Sequence, residues 1–146
     1  MKKLIFTALT TLFFAAGMIA QSAALVSNST GEYTITVNIK KIDSEDGNAK
    51  IQLVDEANQT VAYKAYEIVN GGTTAKFTVK SPGKYAVRYF HDENNNNGLD
   101  RNYLNYPIEG YGFSNNVGVF GPPTFNDLLF DVNKDVEITI NTVYHF

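Results

Sequence analysis

The chain is 146 residues long, carries 12 basic against 15 acidic residues and contains no cysteine. That length points to one domain, and the missing thiols exclude a disulfide staple and a lipid-attachment cysteine. The acidic balance argues against nucleic acid and against an anionic membrane surface as partners.

The first element is a leader. Lys2 and Lys3 precede an uncharged, mostly apolar run from Leu4 to Ala20, and small residues follow through Ala24. This is the pattern of a secretory signal peptide over 1–24, cleaved after Ala20 or Ala24. A membrane span is the rival, but the run is short and no stop-transfer charges follow it. Setting the two leader lysines aside leaves a domain over 25–146 with a net charge near −5. Such a chain is expected outside the inner membrane, in the periplasm or beyond the cell, and off the membrane once the leader is removed.

Strand patterns come next. Tyr33, Ile35, Val37 and Ile39 alternate with polar residues, the period of a half-buried strand. Asp43–Asn48 is a turn by composition, and its acids read as a solvated hairpin end rather than a metal site. Ala49, Ile51 and Leu53 alternate again. Val61–Val69 reads as a strand in preference to a short helix, ended by Gly71 and Gly72. Ala75, Phe77 and Val79 give the next strand, and Ser81-Pro82-Gly83 a tight turn. Tyr85, Val87 and Tyr89 share one face of the strand after it; Phe90 lies on the other, so this strand is central. From Asp92 to Phe125 no sustained strand pattern appears beyond a brief Val117–Phe120. The aromatic content of that stretch predicts a compact, ordered loop. Leu128, Phe130 and Val132, then Val136, Ile138, Ile140 and Tyr144, close the chain as two strands. The expected fold is all-β: an antiparallel β-sandwich, immunoglobulin-like or prealbumin-like, of about seven strands.

Within the long loop, Asp92, Asn94 and Asn96 place oxygen-bearing side chains at alternate positions, with Asp100 further on. Calcium takes six to eight oxygens, and positions 1, 3, 5, 7 and 9 of a tight loop can all point inward. In that register Asp92, Asn94 and Asn96 offer side chains, Gly98 a backbone carbonyl and Asp100 a carboxylate. The position-12 glutamate is replaced by Tyr103, so Glu109 or Glu93 has to substitute. Asn97 falls at the sharp turn and has to enter the left-handed region. The alternative is an Asn-rich turn closed by its own side-chain to backbone hydrogen bonds.

The run Gly83–Val87, His91-Asp92-Glu93-Asn94 with Asp100, Pro107–Asn116 and Gly121–Phe125 resembles a secreted bacterial family, domain of unknown function 2141. The resemblance spans nearly the whole chain after the leader and implies an exported β-sandwich of no assigned activity. Asn97 departs from it, standing where that family usually has glycine. The strand followed by an acidic loop is also similar, over a short stretch, to calcium-binding repeat domains of Gram-positive surface adhesins.

A second candidate site is the stretch after Asn105. Tyr106, Tyr111 and Phe113 offer flat rings and Asn115 an amide, a combination suited to a carbohydrate or peptide ligand. Packing of those rings onto the end of the sandwich is the favoured alternative. Enzymatic readings are weak. Ser114 lacks a nucleophile-elbow context and nothing positions His91 and Asp92 beside it. Asp92 or Asp100 with Glu109 makes a glycosidase pair only on paper. Zinc would require His91 and His145 to meet. The expectation is a non-catalytic exported module, calcium as its one cofactor, with a carbohydrate or protein ligand.

Overall fold

The computed structural model describes residues 31–118 and 121–144. The leader expected over 1–24, the residues up to Thr30, Val119, Phe120 and His145 lie outside the described residues.

Among the described residues, eight strands form two sheets. The smaller contains β1 (Tyr33–Lys40), β4 (Gly72–Val79) and β8 (Val136–Asn141), in the order β4-β1-β8. The larger contains β2 (Asn48–Asp55), β3 (Thr60–Tyr66), β5 (Gly83–Asp92) and β6 (Tyr111–Phe113), in the order β3-β2-β5-β6. The short β7 (Phe130–Val132) also pairs with β5. Alternation sets which side chains enter the core. Ile35, Val37 and Ile39 face Ala49, Ile51, Leu53, Val87 and Tyr89 across the sandwich, and all are buried. Each such aliphatic side chain contributes roughly 1.5–3 kcal/mol on burial. The all-β sandwich read from the sequence is therefore the fold.

Three local features depart from the sequence reading. First, β8 runs parallel to β1, where the sequence leads one to expect an antiparallel pair. Its predecessor β7 sits in the opposite sheet, so no hairpin dictates its direction. Second, β6 was read as loop. It is only three residues long, and its central Gly112 is required by close approach: a Cβ there would lie 2.5 Å from Ile140 Cγ2. Third, Leu128 belongs not to the strand but to a single helical turn, α1 (Phe125–Leu128). Asp127 Oδ2 accepts hydrogen bonds from the Thr124 backbone (2.8 Å) and hydroxyl (2.7 Å), closing the start of that turn.

The turn gives β5 a second core. Leu128 packs against Val54 and Ala86 on the outer face of the larger sheet, with Phe113, Phe125 and Leu129 around them. The expectation that β5 is central holds for this reason: it is covered on both faces. β5 ends at Asp92, and the long loop begins there.

Candidate functional site

The loop after β5 is folded from within by two buried carboxylates. Asp92 is fully buried; its Oδ1 accepts the Asn96 N–H (2.9 Å) and its Oδ2 the Asn97 N–H (3.1 Å). Glu109, 4 % exposed, accepts the Glu93 N–H (3.0 Å) through Oε1 and the Asp100 N–H (2.9 Å) through Oε2. Hydrogen bonds to a carboxylate are the stronger kind, and these four fix where the loop starts and ends. Between them, Asn94 Oδ1 accepts the Asn96 N–H and Asn96 Oδ1 accepts the Gly98 N–H, two consecutive Asx turns. The amide nitrogens of Asn94 and Asn96 then donate to Asp100 at 2.6 and 2.9 Å. Asn95 and Asn97 take positive φ, 60° and 67°, as the sharp turn demands of Asn97.

The six residues named as calcium ligands are thus brought into one network, but not as an open cage of oxygens. Asp92 and Glu109 turn their oxygens to backbone N–H groups, Asn94 and Asn96 turn nitrogens toward Asp100, and Gly98 contributes its N–H. Among the described residues no three His, Asp or Glu side chains form a metal-holding group. In this arrangement the carboxylate oxygens of Asp92 and Glu109 are engaged by backbone N–H groups and those of Asp100 by the Asn94 and Asn96 amides.

A cation is nevertheless present. Lys50, read from the sequence only as the polar face of β2, sends its Nζ to 2.8 Å from Asn97 Oδ1 and 3.3 Å from Asp92 Oδ2. The signal for it was the register: Asn48 stands opposite Asp92 and Lys50 opposite Phe90, so the lysine reaches one strand end away. The acid-rich turn closes the other side. His91, wholly buried, donates from Nε2 to the Asp46 carbonyl (2.7 Å), and its Nδ1 lies 3.3 Å from the Tyr144 hydroxyl. Gly47, at φ 68°, rests directly on the Asp92–Glu93 backbone, where any Cβ would collide with the Asp92 carbonyl.

Ser114 and His91, considered together as part of a triad, make separate hydrogen bonds. Ser114 is completely buried; its Oγ donates to the Leu128 carbonyl (2.5 Å) and accepts from the Val87 N–H (3.0 Å). It splices α1 to β5 and does not meet His91. Asn115, named as a ligand-platform residue, does similar work: its amide donates to the Asp127 and Leu129 carbonyls.

The three rings divide. Tyr111 is buried, edge-on to the partly buried Phe113 with centroids 5.7 Å apart. Burial raises the Tyr111 hydroxyl above its ordinary pKa, against the lowering pull of the nearby Arg101 charge. Tyr106 instead stands 58 % exposed on a small hairpin. That hairpin is built by the Arg101–Pro107 bridge, by the Ile108 N–H on the Asp100 carbonyl, and by Asn102 Oδ1 accepting the Leu104 and Tyr106 N–H groups. It also displays Tyr103, 94 % exposed, with Leu104 and Ile108. The sequence reading expected that stretch to bury its aromatics; their backbone is satisfied locally, so the side chains are left outward. Between hairpin and sandwich lies a cavity of about 310 Å³, walled by Leu99, Tyr106, Pro107, Tyr111, Phe113 and Pro123. Arg101 and Asn105 supply its polar side, the guanidinium donating to the Asn105 carbonyl at 3.0 Å. Leu99 and Pro123 were not among the sequence candidates; nothing in their local pattern marks them.

Fold and site define the molecule as an all-β sandwich domain with a long, internally hydrogen-bonded loop after β5. The chain belongs to a family described as uncharacterised proteins conserved in bacteria, DUF2141, whose model matches residues 37–140. No curated protein matches the sequence. Among solved structures, a fimbrial assembly protein from Parabacteroides distasonis is similar at 11% identity and a TM-score of 0.43. The match covers 77% of this chain and 53% of that one, so the chain spans about half the length of that protein.

Proposed function

We propose that the protein is an exported, non-catalytic binding module that takes a carbohydrate in the cavity beside Tyr106. Export is supported by the basic start and apolar run of residues 1–24. The observation that carries the ligand reading is the pairing of an exposed ring with a formed cavity. Its volume, about 310 Å³, is at the lower end of small-ligand sites. A sugar ring has an apolar face that stacks on an aromatic side chain and a rim of hydroxyls that needs hydrogen-bonding partners. Tyr106 supplies the first; Arg101 and Asn105 supply the second. The Asn-rich loop serves as the rigid support, because Glu109 and Asp100 pin both feet of the hairpin that carries Tyr106.

The test is a glycan array probed with the purified protein and with Tyr106→Ala. Binding by the wild type that disappears in the variant, at an unchanged melting temperature, supports the reading. An array that stays blank, or one bound equally by the variant, rejects it.

A further inference from the structure

Three groups meet beneath the Asn-rich loop, outside the proposed ligand cavity: Lys50, Asn97 and the Asp92 carboxylate that also holds the loop backbone. Lys50 Nζ lies 2.8 Å from Asn97 Oδ1 and 3.3 Å from Asp92 Oδ2. Lys50 is only 8% exposed and Asp92 is not exposed at all. Register places Ala65 of β3 and Phe90 of β5 on either side of Lys50, so its stem is flanked by apolar neighbours. The left-handed backbone at Asn97, φ 67°, belongs to the turn that puts its amide over β2. An amine that touches both a carboxamide and a buried carboxylate, the carboxylate in turn holding the backbone N–H of the carboxamide's own residue, supplies the reactants and the proton carrier of an amide exchange.

We propose that Lys50 and Asn97 join in an intramolecular isopeptide bond, with Asp92 carrying the protons. The Lys50 ammonium gives a proton to Asp92 Oδ2, and the freed amine adds to Asn97 Cγ. The tetrahedral intermediate collapses by breaking the Cγ–Nδ2 bond. Of the three ammonium hydrogens, one stays on the new amide. The other two pass through Asp92 to the departing nitrogen, which leaves as ammonium. One C–N bond forms, one breaks, no oxidant is needed and the protein becomes lighter by one ammonia. Asn97 is on the surface side of the contact, so the ammonium departs directly into solvent. The proximity that makes the step feasible is already present in the folded chain, because both partners are held by backbone and carboxylate bonds. In a chain with no cysteine, the product is a covalent tie between β2 and the loop that thiol chemistry cannot supply.

Tryptic mapping of the purified protein tests this without any ligand. An acylated Lys50 resists trypsin, so the expected species is Ile42–Lys64 joined to Tyr89–Arg101, at the summed mass less one ammonia. Lys50→Arg keeps the positive charge but is expected to abolish the joined species and lower the melting temperature. Asp92→Asn, which keeps the shape of the side chain, is expected to leave the peptides unjoined. Separate Ile42–Lys50 and Tyr89–Arg101 peptides at unmodified mass would overturn the bond. So would a free Tyr89–Arg101 lighter by one ammonia, which assigns the loss to ring closure of Asn97 onto Gly98. Full joining in Asp92→Asn would overturn the role given to Asp92.

Discussion

Glu109 shows how one buried carboxylate organises a stretch that has almost no core of its own. Its two oxygens each hold a backbone N–H, one at the beginning of the Asn-rich loop and one at its end. Glu109→Gln replaces one acceptor by an N–H₂ group that faces a donor, leaving a buried N–H unpaired. That costs about 1–3 kcal/mol by the usual penalty for an unsatisfied buried group. Urea unfolding should show a midpoint shift of that size; a change below about 0.5 kcal/mol, the range of an ordinary surface substitution, would mean the two bonds are not what holds the loop. The same reasoning bears on calcium. With Asp92 and Glu109 engaged by N–H donors and Lys50 beside Asp92, both buried carboxylates already have partners. The melting temperature is therefore expected to stay the same in millimolar calcium. A rise that Asp100→Ala abolishes would place an ion in the loop instead.

At the scale of elements, α1 is the piece whose presence depends on one contact. Thr124 lowers the Asp127 pKa below its ordinary 3.8 by donating from its hydroxyl and its backbone to the carboxylate. A depressed carboxyl contributes stability that is present above the unfolded value and is lost as pH falls through the lowered one. The protection of the Leu129 amide, which donates to Asn126, relative to its intrinsic exchange rate should therefore fall on acidification below pH 3.8, and Asp127→Asn should show the reduced protection already at neutral pH. Protection indifferent to both changes would mean the turn is held by Leu128 packing alone. The strands β1, β2 and β4 were legible in the sequence because burial on one face imposes a period of two, and β5 because apolar residues on both its faces mark a central strand. The elements that were not legible are those fixed by distant partners. Tyr111-Gly112-Phe113 is too short to carry a period, and Leu128 continues the alternation of β7 although a capped turn claims it. The site divides the same way. Asp92, Asn94, Asn96 and Asp100 sit in one local segment and their gathering could be read. Lys50 reaches them from another strand, and Tyr106, named together with Tyr111 and Phe113, could not be told apart from them because hydrophobicity alone does not distinguish an exposed ring from a packed one.

For the molecule as a whole, the sandwich has two unlike ends and faces. The outer face of the β4-β1-β8 sheet is polar, lined by Thr34, Thr36, Thr74, Lys76 and Glu137. The opposite sheet carries α1, the hairpin and the cavity, and exposed apolar side chains collect on that hairpin: Tyr103, Leu104, Tyr106 and Ile108. A contiguous apolar patch on a folded surface marks an interaction site more often than chance. The proposed sugar site lies in the cavity beside this hairpin. A ¹⁵N-labelled sample titrated with oligosaccharides that bind on the array tests it most directly. Saturable shifts are predicted at Leu99–Phe113 and at Pro123's neighbours, with the β4-β1-β8 sheet unmoved. Shifts centred on that sheet, or a spectrum that does not respond, would contradict it.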